Sequence, residues 1–196
     1  PQGLNIWTGV RWQPVYKDIP KGSFKGDLIA LDNMQRKISN RNEVFWDIDF
    51  DNINNPKNLN LNGVFFRMIN GEYRVEELNF IAFPLKGDII ITEEGLEALV
   101  VITTSNSKEM KNLNIKLPNL VYLKLSKVLY LNDVKLDCEN LLGVEIKDCN
   151  NYNPNHFNYQ DTWVNSGWFK ELDMTNCSNL IMLNCAGNRM TDINIS

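Results

Sequence analysis

LIMLNCAGNRMTDINIS, Leu180 to Ser196, is the stretch whose reading decides the fold. Its apolar residues stand at Leu180, Leu183 and Cys185, then at Met190, Ile193 and Ile195, with Asn188 between the two groups. A helix needs an apolar stripe at i, i+3, i+4 and i+7, and neither group continues that way. Two short alternating runs separated by turn residues are strand signals. Seventeen residues thus hold two strands and two corners, which is one coil of a solenoid.

The same phrase recurs upstream. It reads Val75, Leu78, Phe80, Phe83; then Leu96, Leu99, Val101, Thr104; then Leu120, Leu123, Leu125, Val128; then Leu141, Val144, Ile146, Cys149. The second phrase reads Leu85, Ile89, Ile91; Met110, Leu113, Ile115; Leu131, Val134, Leu136; Leu172, Met174. The usual step is 21 residues, with three extra residues between Leu96 and Leu120. One such coil cannot bury its own apolar edge, and stacking makes the core continuous. The spacing predicts at least five turns with inward columns Leu78–Leu99–Leu123–Val144–Leu183 and Phe80–Val101–Leu125–Ile146–Cys185. It places Asn188 at a corner, hydrogen-bonded to backbone.

The phrase LxxLxCxxNxMxxIxIS resembles the leucine-rich repeat, in the 21-residue form of Bacteroidetes surface proteins, and is similar to internalin-type repeats. The match runs from Val75 to Ser196 and is sharpest at Leu180–Ser196; in the early coils Phe83 and Thr104 stand at the asparagine position. The resemblance implies a curved binding solenoid on an exported protein at the cell surface or in the periplasm, with a lipid anchor on a removed leader as one form. Pro1 in place of a methionine fits the loss of such a leader.

The fold class expected is mainly β with few helices, a leucine-rich-repeat solenoid of about 21-residue coils with parallel strands. Residues 1–43 form an N-terminal cap, with a helix over Asp27–Ile38, where Leu28, Leu31, Met34 and Ile38 keep helical spacing. Residues 44–196 form the solenoid, and FWDIDF (Phe45–Phe50) reads as its first strand. An insertion of about 18 residues, Asn150–Trp168, interrupts it.

The totals narrow the function. Hydrophobic residues make up 43% and charged residues 22%, ordinary for a globular core. A net charge of −4 argues against nucleic-acid binding. No apolar run is long enough to span a membrane. Asparagine occurs 29 times, which calls for many turns or for amides bonded to backbone. Neither a CxxC nor a Cys/His cluster exists, so no metal or other cofactor is expected. Cys138 and Cys177 fall at one corner of successive coils, as free thiols or as a disulfide. His156, Asp161 and Ser166 share the insertion, and no GxSxG, P-loop or HExxH is present, so the chain reads as not an enzyme.

Two surfaces remain as candidate ligand sites. The insertion carries Tyr152, His156, Phe157, Tyr159, Trp163 and Trp168. It either offers them to a partner or folds them back over the coils. The outward strand positions are Glu77, Asn79, Ile81; Ala98, Val100, Ile102; Tyr122, Lys124, Ser126; Gly143, Glu145, Lys147; and Met182, Asn184, Ala186. Of these, Tyr122, Lys124, Glu145 and Lys147 are the residues expected to touch a ligand. The expected partner is a protein; a glycan, or no ligand in a purely structural repeat, are the alternatives. The last coil has Leu183, Cys185, Ile193 and Ile195 on an open edge, which calls either for further repeats or for self-association with a second copy.

Overall fold

The computed structural model describes residues 4–7, 12–15, 22–38, 45–82, 85–92, 95–107, 109–149, 169–188 and 190–195. Strands β1 (Leu4–Trp7) and β2 (Trp12–Val15) pair antiparallel. Helix α1 spans Phe24–Ile38. It starts three residues earlier than the apolar spacing predicts, because the Ser23 hydroxyl caps it by accepting from the Gly26 N–H at 3.0 Å. A 3-10 turn at Pro56–Leu59 follows. Then come β3 (Val64–Ile69) and β4 (Glu72–Asn79), an antiparallel hairpin. Its two-residue turn is Asn70-Gly71, with φ of 51° and 85°. Such left-handed pairs match the strand twist.

From β4 onward the chain winds. The strands are β5 (Lys86–Thr92), β6 (Val101–Ser105), β7 (Glu109–Lys116), β8 (Tyr122–Ser126), β9 (Asp133–Asp137), β10 (Gly143–Lys147), β11 (Glu171–Asp173), β12 (Met182–Asn184) and β13 (Asp192–Asn194). The even-numbered strands from β4 on, with β3, form a six-stranded sheet in the order β12-β10-β8-β6-β4-β3. The odd-numbered strands from β5 on form a five-stranded sheet, β13-β11-β9-β7-β5. Every pairing from β4 on is parallel. The protein is a parallel β-solenoid of about 21-residue coils. Counted as full circuits there are about four turns rather than five: four circuits stack five levels.

The core lies between the two sheets. Leu78, Ile102, Leu123 and Val144 stand in register along the first sheet, all at most 2% exposed. They face the column Ile89, Leu113, Val134, Leu172 of the second. The second phrase of the repeat lines up here at Ile89–Leu113–Val134–Leu172 and Ile91–Ile115–Leu136, while Met110 pairs with Gly87 and not with Leu85. In the first sheet one level differs. Ile102, not Leu99, pairs between Leu78 and Leu123, and Thr104, not Val101, sits beside Leu125. The three extra residues therefore precede β6 instead of following it. The pattern misleads because Thr104 is polar in an inward position. It is tolerated there, 3% exposed, because its hydroxyl bonds the buried Ser107 hydroxyl at 2.9 Å. Ile102 accordingly points into the core and is not an outward residue.

FWDIDF is not a strand. Trp46 is buried, but its backbone pairs with a side chain: Gln35 of α1 accepts from the Trp46 N–H at 2.8 Å and donates to its carbonyl at 3.0 Å. A glutamine amide replaces the neighbouring strand. Helix α1 packs on β4 and β5, the first level of the solenoid. Asp27 in its first turn accepts from the Arg74 guanidinium at 2.8 and 3.0 Å and from the Val75 N–H at 2.7 Å.

Asparagines and left-handed residues build the corners. Asn188 accepts from the Cys149 N–H at 2.8 Å and donates to the carbonyls of Cys185 and Ile146. It is the corner residue that its place in the repeat predicts. Asn119 and Asn179 donate to the carbonyls of Glu97 and Glu139, one level back. Asn106, Lys127, Asp148 and Gly187 all have φ between 54° and 73°. The amides of the first three each donate to the next level, to the carbonyls of Ser126, Lys147 and Ala186.

All four cysteines are free. Cys138 and Cys177 do occupy equivalent corners, where their thiols donate to the carbonyls of Ile115 and Leu136. Burial pushes the Cys138 and Cys149 thiols up to about 12.

Candidate functional site

Each coil exposes two faces, one per sheet, and they differ in chemistry. Outward residues of the second sheet form three ladders: Asp88–Asn112–Asp133–Glu171–Asp192, Ile90–Asn114–Lys135–Asp173–Asn194, and Thr92–Lys116–Asp137. Ile90 is their one apolar member. Lys116 pairs with Asp137 at 3.3 Å, and Lys135 reaches Asp173 at 4.0 Å. This is a solvated face.

The first sheet is different. Its outward ladders are Glu77–Val101–Tyr122–Gly143–Met182, Asn79–Thr103–Lys124–Glu145–Asn184 and Ser105–Ser126–Lys147. Just before the strands runs a fourth row, Val100, Val121, Leu142 and Ile181, joined level to level by backbone hydrogen bonds. Leu142, Met182 and Ile181 are 40%, 41% and 83% exposed. Two adjacent apolar rows thus cross the face along the solenoid axis. The apolar rows lie on one face only and are absent from the other.

Tyr122 is the centre of that patch. A Cβ on Gly143 would come within 2.9 Å of the Tyr122 ring and 3.0 Å of the Met182 methyl. Glycine is therefore what lets the ring and the thioether lie down against the strand. The Tyr122 hydroxyl donates to Glu145 Oε1 at 2.6 Å. Burial, reinforced by that bond to a carboxylate, pushes the phenol up to about 12. Lys147 Nζ lies 2.9 Å from the other carboxylate oxygen and Lys124 Nζ 3.9 Å. The Tyr122 hydrogen bond first, then Lys147, hold the Glu145 carboxyl below the usual carboxylate range. Tyr122, Lys124, Glu145 and Lys147 form one connected cluster on a rigid sheet.

The four outward residues that the sequence reading names on this face lie together in the structure. The sequence reading does not name the row Val121, Leu142 and Ile181. The repeat itself could have found them, since each follows the first leucine of its coil. Ala98 and Ala186 lie outside β6 and β12, and Ile81 lies in a 3-10 turn at Phe80–Ala82. Tyr152, His156, Phe157, Tyr159, Trp163 and Trp168 lie outside the described residues.

An open groove of about 450 Å³ lies elsewhere, between the start of α1, the 3-10 turn and the β3–β4 hairpin, lined by Phe24, Met68 and Tyr73. Two of its polar side chains are engaged within the fold: Glu72 accepts from the Phe24 N–H, and Asn55 bonds Asp49 and the Lys57 N–H. Among the described residues no group of histidines, cysteines and carboxylates is placed to hold a metal, and no helix is long and apolar enough to cross a membrane. The chain matches no known family model, no curated protein and no solved structure.

Proposed function

We infer that the chain is a non-catalytic recognition module of the leucine-rich-repeat type, part of an exported or cell-surface bacterial protein, which binds a protein partner through the outward face of the first sheet. The observation that carries this is the asymmetry between the two faces. Two apolar rows with a central tyrosine cross one sheet, while the other presents acids, amides and lysines. Aromatic anchors ringed by polar groups are where binding energy concentrates. The repeat phrase and its resemblance to short surface-protein repeats support the placement outside the cell. A glycan reading rests on Tyr122 as a stacking platform, but the polar groups beside it, Lys124, Glu145 and Lys147, already pair with one another and with its hydroxyl.

The test is partner capture from cell-surface extracts with Leu142→Asp and Tyr122→Ala, against Lys135→Glu on the opposite sheet. Loss with the first two and retention with the third is expected. Capture that survives both first-sheet variants and fails with Lys135→Glu defeats the reading. Self-association through the last coil belongs to the same proposal. Ile193 is 46% exposed, while its column mates Leu172, Val134 and Leu113 are buried, and Ile195 is 55% exposed. Sedimentation of the wild type and of Ile193→Lys checks it: a monomer in both removes it.

A further inference from the structure

The shape of the patch points to the kind of partner. Resting on the reading of the first sheet as a docking face, we propose that its occupant is an amphipathic helix with an acidic flank, laid along the solenoid axis across the strands. The apolar rows run level to level, so their rungs repeat every ~4.8 Å and four levels span about 14 Å. A helix presents its apolar residues once per ~5.4 Å turn, so about three turns stay in step with those rungs. An extended strand shows same-face side chains every ~6.8 Å and falls out of step after one level. The band is two residues wide, Val121 beside Tyr122 and Leu142 beside Gly143, the width of a helical apolar stripe.

Charge sets the orientation. Beside the apolar rows, Lys124 and Lys147 flank the single Glu145, whose carboxylate is already engaged by both lysines and by the Tyr122 hydroxyl. Thr103 and Asn184 complete that row and are neutral. At the corner beyond, exposed Lys127 is offset by exposed Asp148. On this border the four levels set two lysines against one carboxylate, a net of +1, with Glu77 one level beyond in β4. A helix carrying Glu or Asp along one border of its stripe meets lysines there, whereas a basic helix is repelled.

The experiment uses the full chain and two synthetic helical peptides of about 18 residues. Both carry Leu at i, i+3, i+4 and i+7; one has Glu along the border, the other Lys. Amide chemical shifts map the binding site, and titration at low and high salt gives the affinity. The acidic peptide binds at least about tenfold tighter than the basic one, weakens with salt, and shifts the amides of β6, β8 and β10. Leu142→Asp abolishes binding, and the Lys124→Glu/Lys147→Glu pair reverses the peptide preference. Equal binding of both peptides, binding indifferent to Leu142→Asp, or no binding by either overturns the helix proposal. In that event, partner capture that still depends on Leu142 and Tyr122 leaves the docking face standing and rejects the helical occupant alone.

Discussion

Replacing Ile102 by alanine tests the register on which the whole first sheet depends. Ile102 is 2% exposed and lies between Leu78 and Leu123 in adjacent strands. Those neighbours are held by the parallel ladders above and below, so the space left by the lost carbons collapses poorly. The range for such a truncation is about 2–5 kcal/mol, and a site this constrained belongs near 3–4 kcal/mol. Val101→Ala is the matched control. Val101 faces outward and is half-buried, so its loss costs about 1 kcal/mol. Urea unfolding followed by far-ultraviolet circular dichroism measures both. Hydrogen exchange of the β6 and β8 amides accompanies it, because a solenoid can open level by level. A larger loss for Val101→Ala than for Ile102→Ala would refute the register and restore Leu99 and Val101 as the inward pair.

Four further outcomes follow from the corners and the core. Lys127 is exposed with φ 54°, a conformation that costs a non-glycine residue about 1–2 kcal/mol; Lys127→Gly returns part of this against glycine entropy and should raise the unfolding free energy read from urea titration by a net ~0.5 kcal/mol. Gly187→Ala has the opposite sign, since its Cβ would sit 2.2 Å from Asp148 Oδ1 in a backbone with φ 73°. Asn188→Ala strips partners from the Cys149 amide and from two carbonyls, and should lower stability by about 2 kcal/mol in thermal melts; an unchanged melt would mean that water replaces the amide. The buried thiols make the protein alkali-sensitive. Cys138 and Cys149 keep their protons when folded up to about 12 and release them near 9 when unfolded. The folded state binds more protons over that window, so the stability present below pH 9 is lost as pH rises toward 12, by up to ~1.4 kcal/mol per unit for each thiol. The urea midpoint of the Cys138→Ala/Cys149→Ala pair, compared at pH 8 and pH 10, should lose most of this slope.

The hydrophobic pattern was sufficient for the coil. Period-two runs with fixed spacing admit few other arrangements, since any one coil leaves its apolar edge in water unless another stacks on it. The second-sheet columns, the corner role of Asn188 and the helix near the N-terminus were all legible on that ground. The Asn70-Gly71 dipeptide also announced the β3–β4 hairpin, although the reading passed over it. What failed was Leu96–Ser107, where two registers of the same phrase fit equally well as letters. Tertiary structure chose between them by a contact that no linear pattern contains, the Thr104–Ser107 hydroxyl pair that makes a polar residue acceptable inside.

The candidate site divides the same way. Tyr122, Lys124, Glu145 and Lys147 are outward by alternation alone, which needs only the sequence. That the tyrosine lies on Gly143, that its hydroxyl is bound to Glu145, and that Val121, Leu142 and Ile181 align into a row beside it depend on the register between levels. Sequence by itself determined that this protein is a stack of coils with two faces, because burial of apolar residues acts within each short run. Only the tertiary structure decided which face carries a continuous apolar surface. Continuity is a relation between residues some 21 or more positions apart, set by the hydrogen bonds that lock one level onto the next.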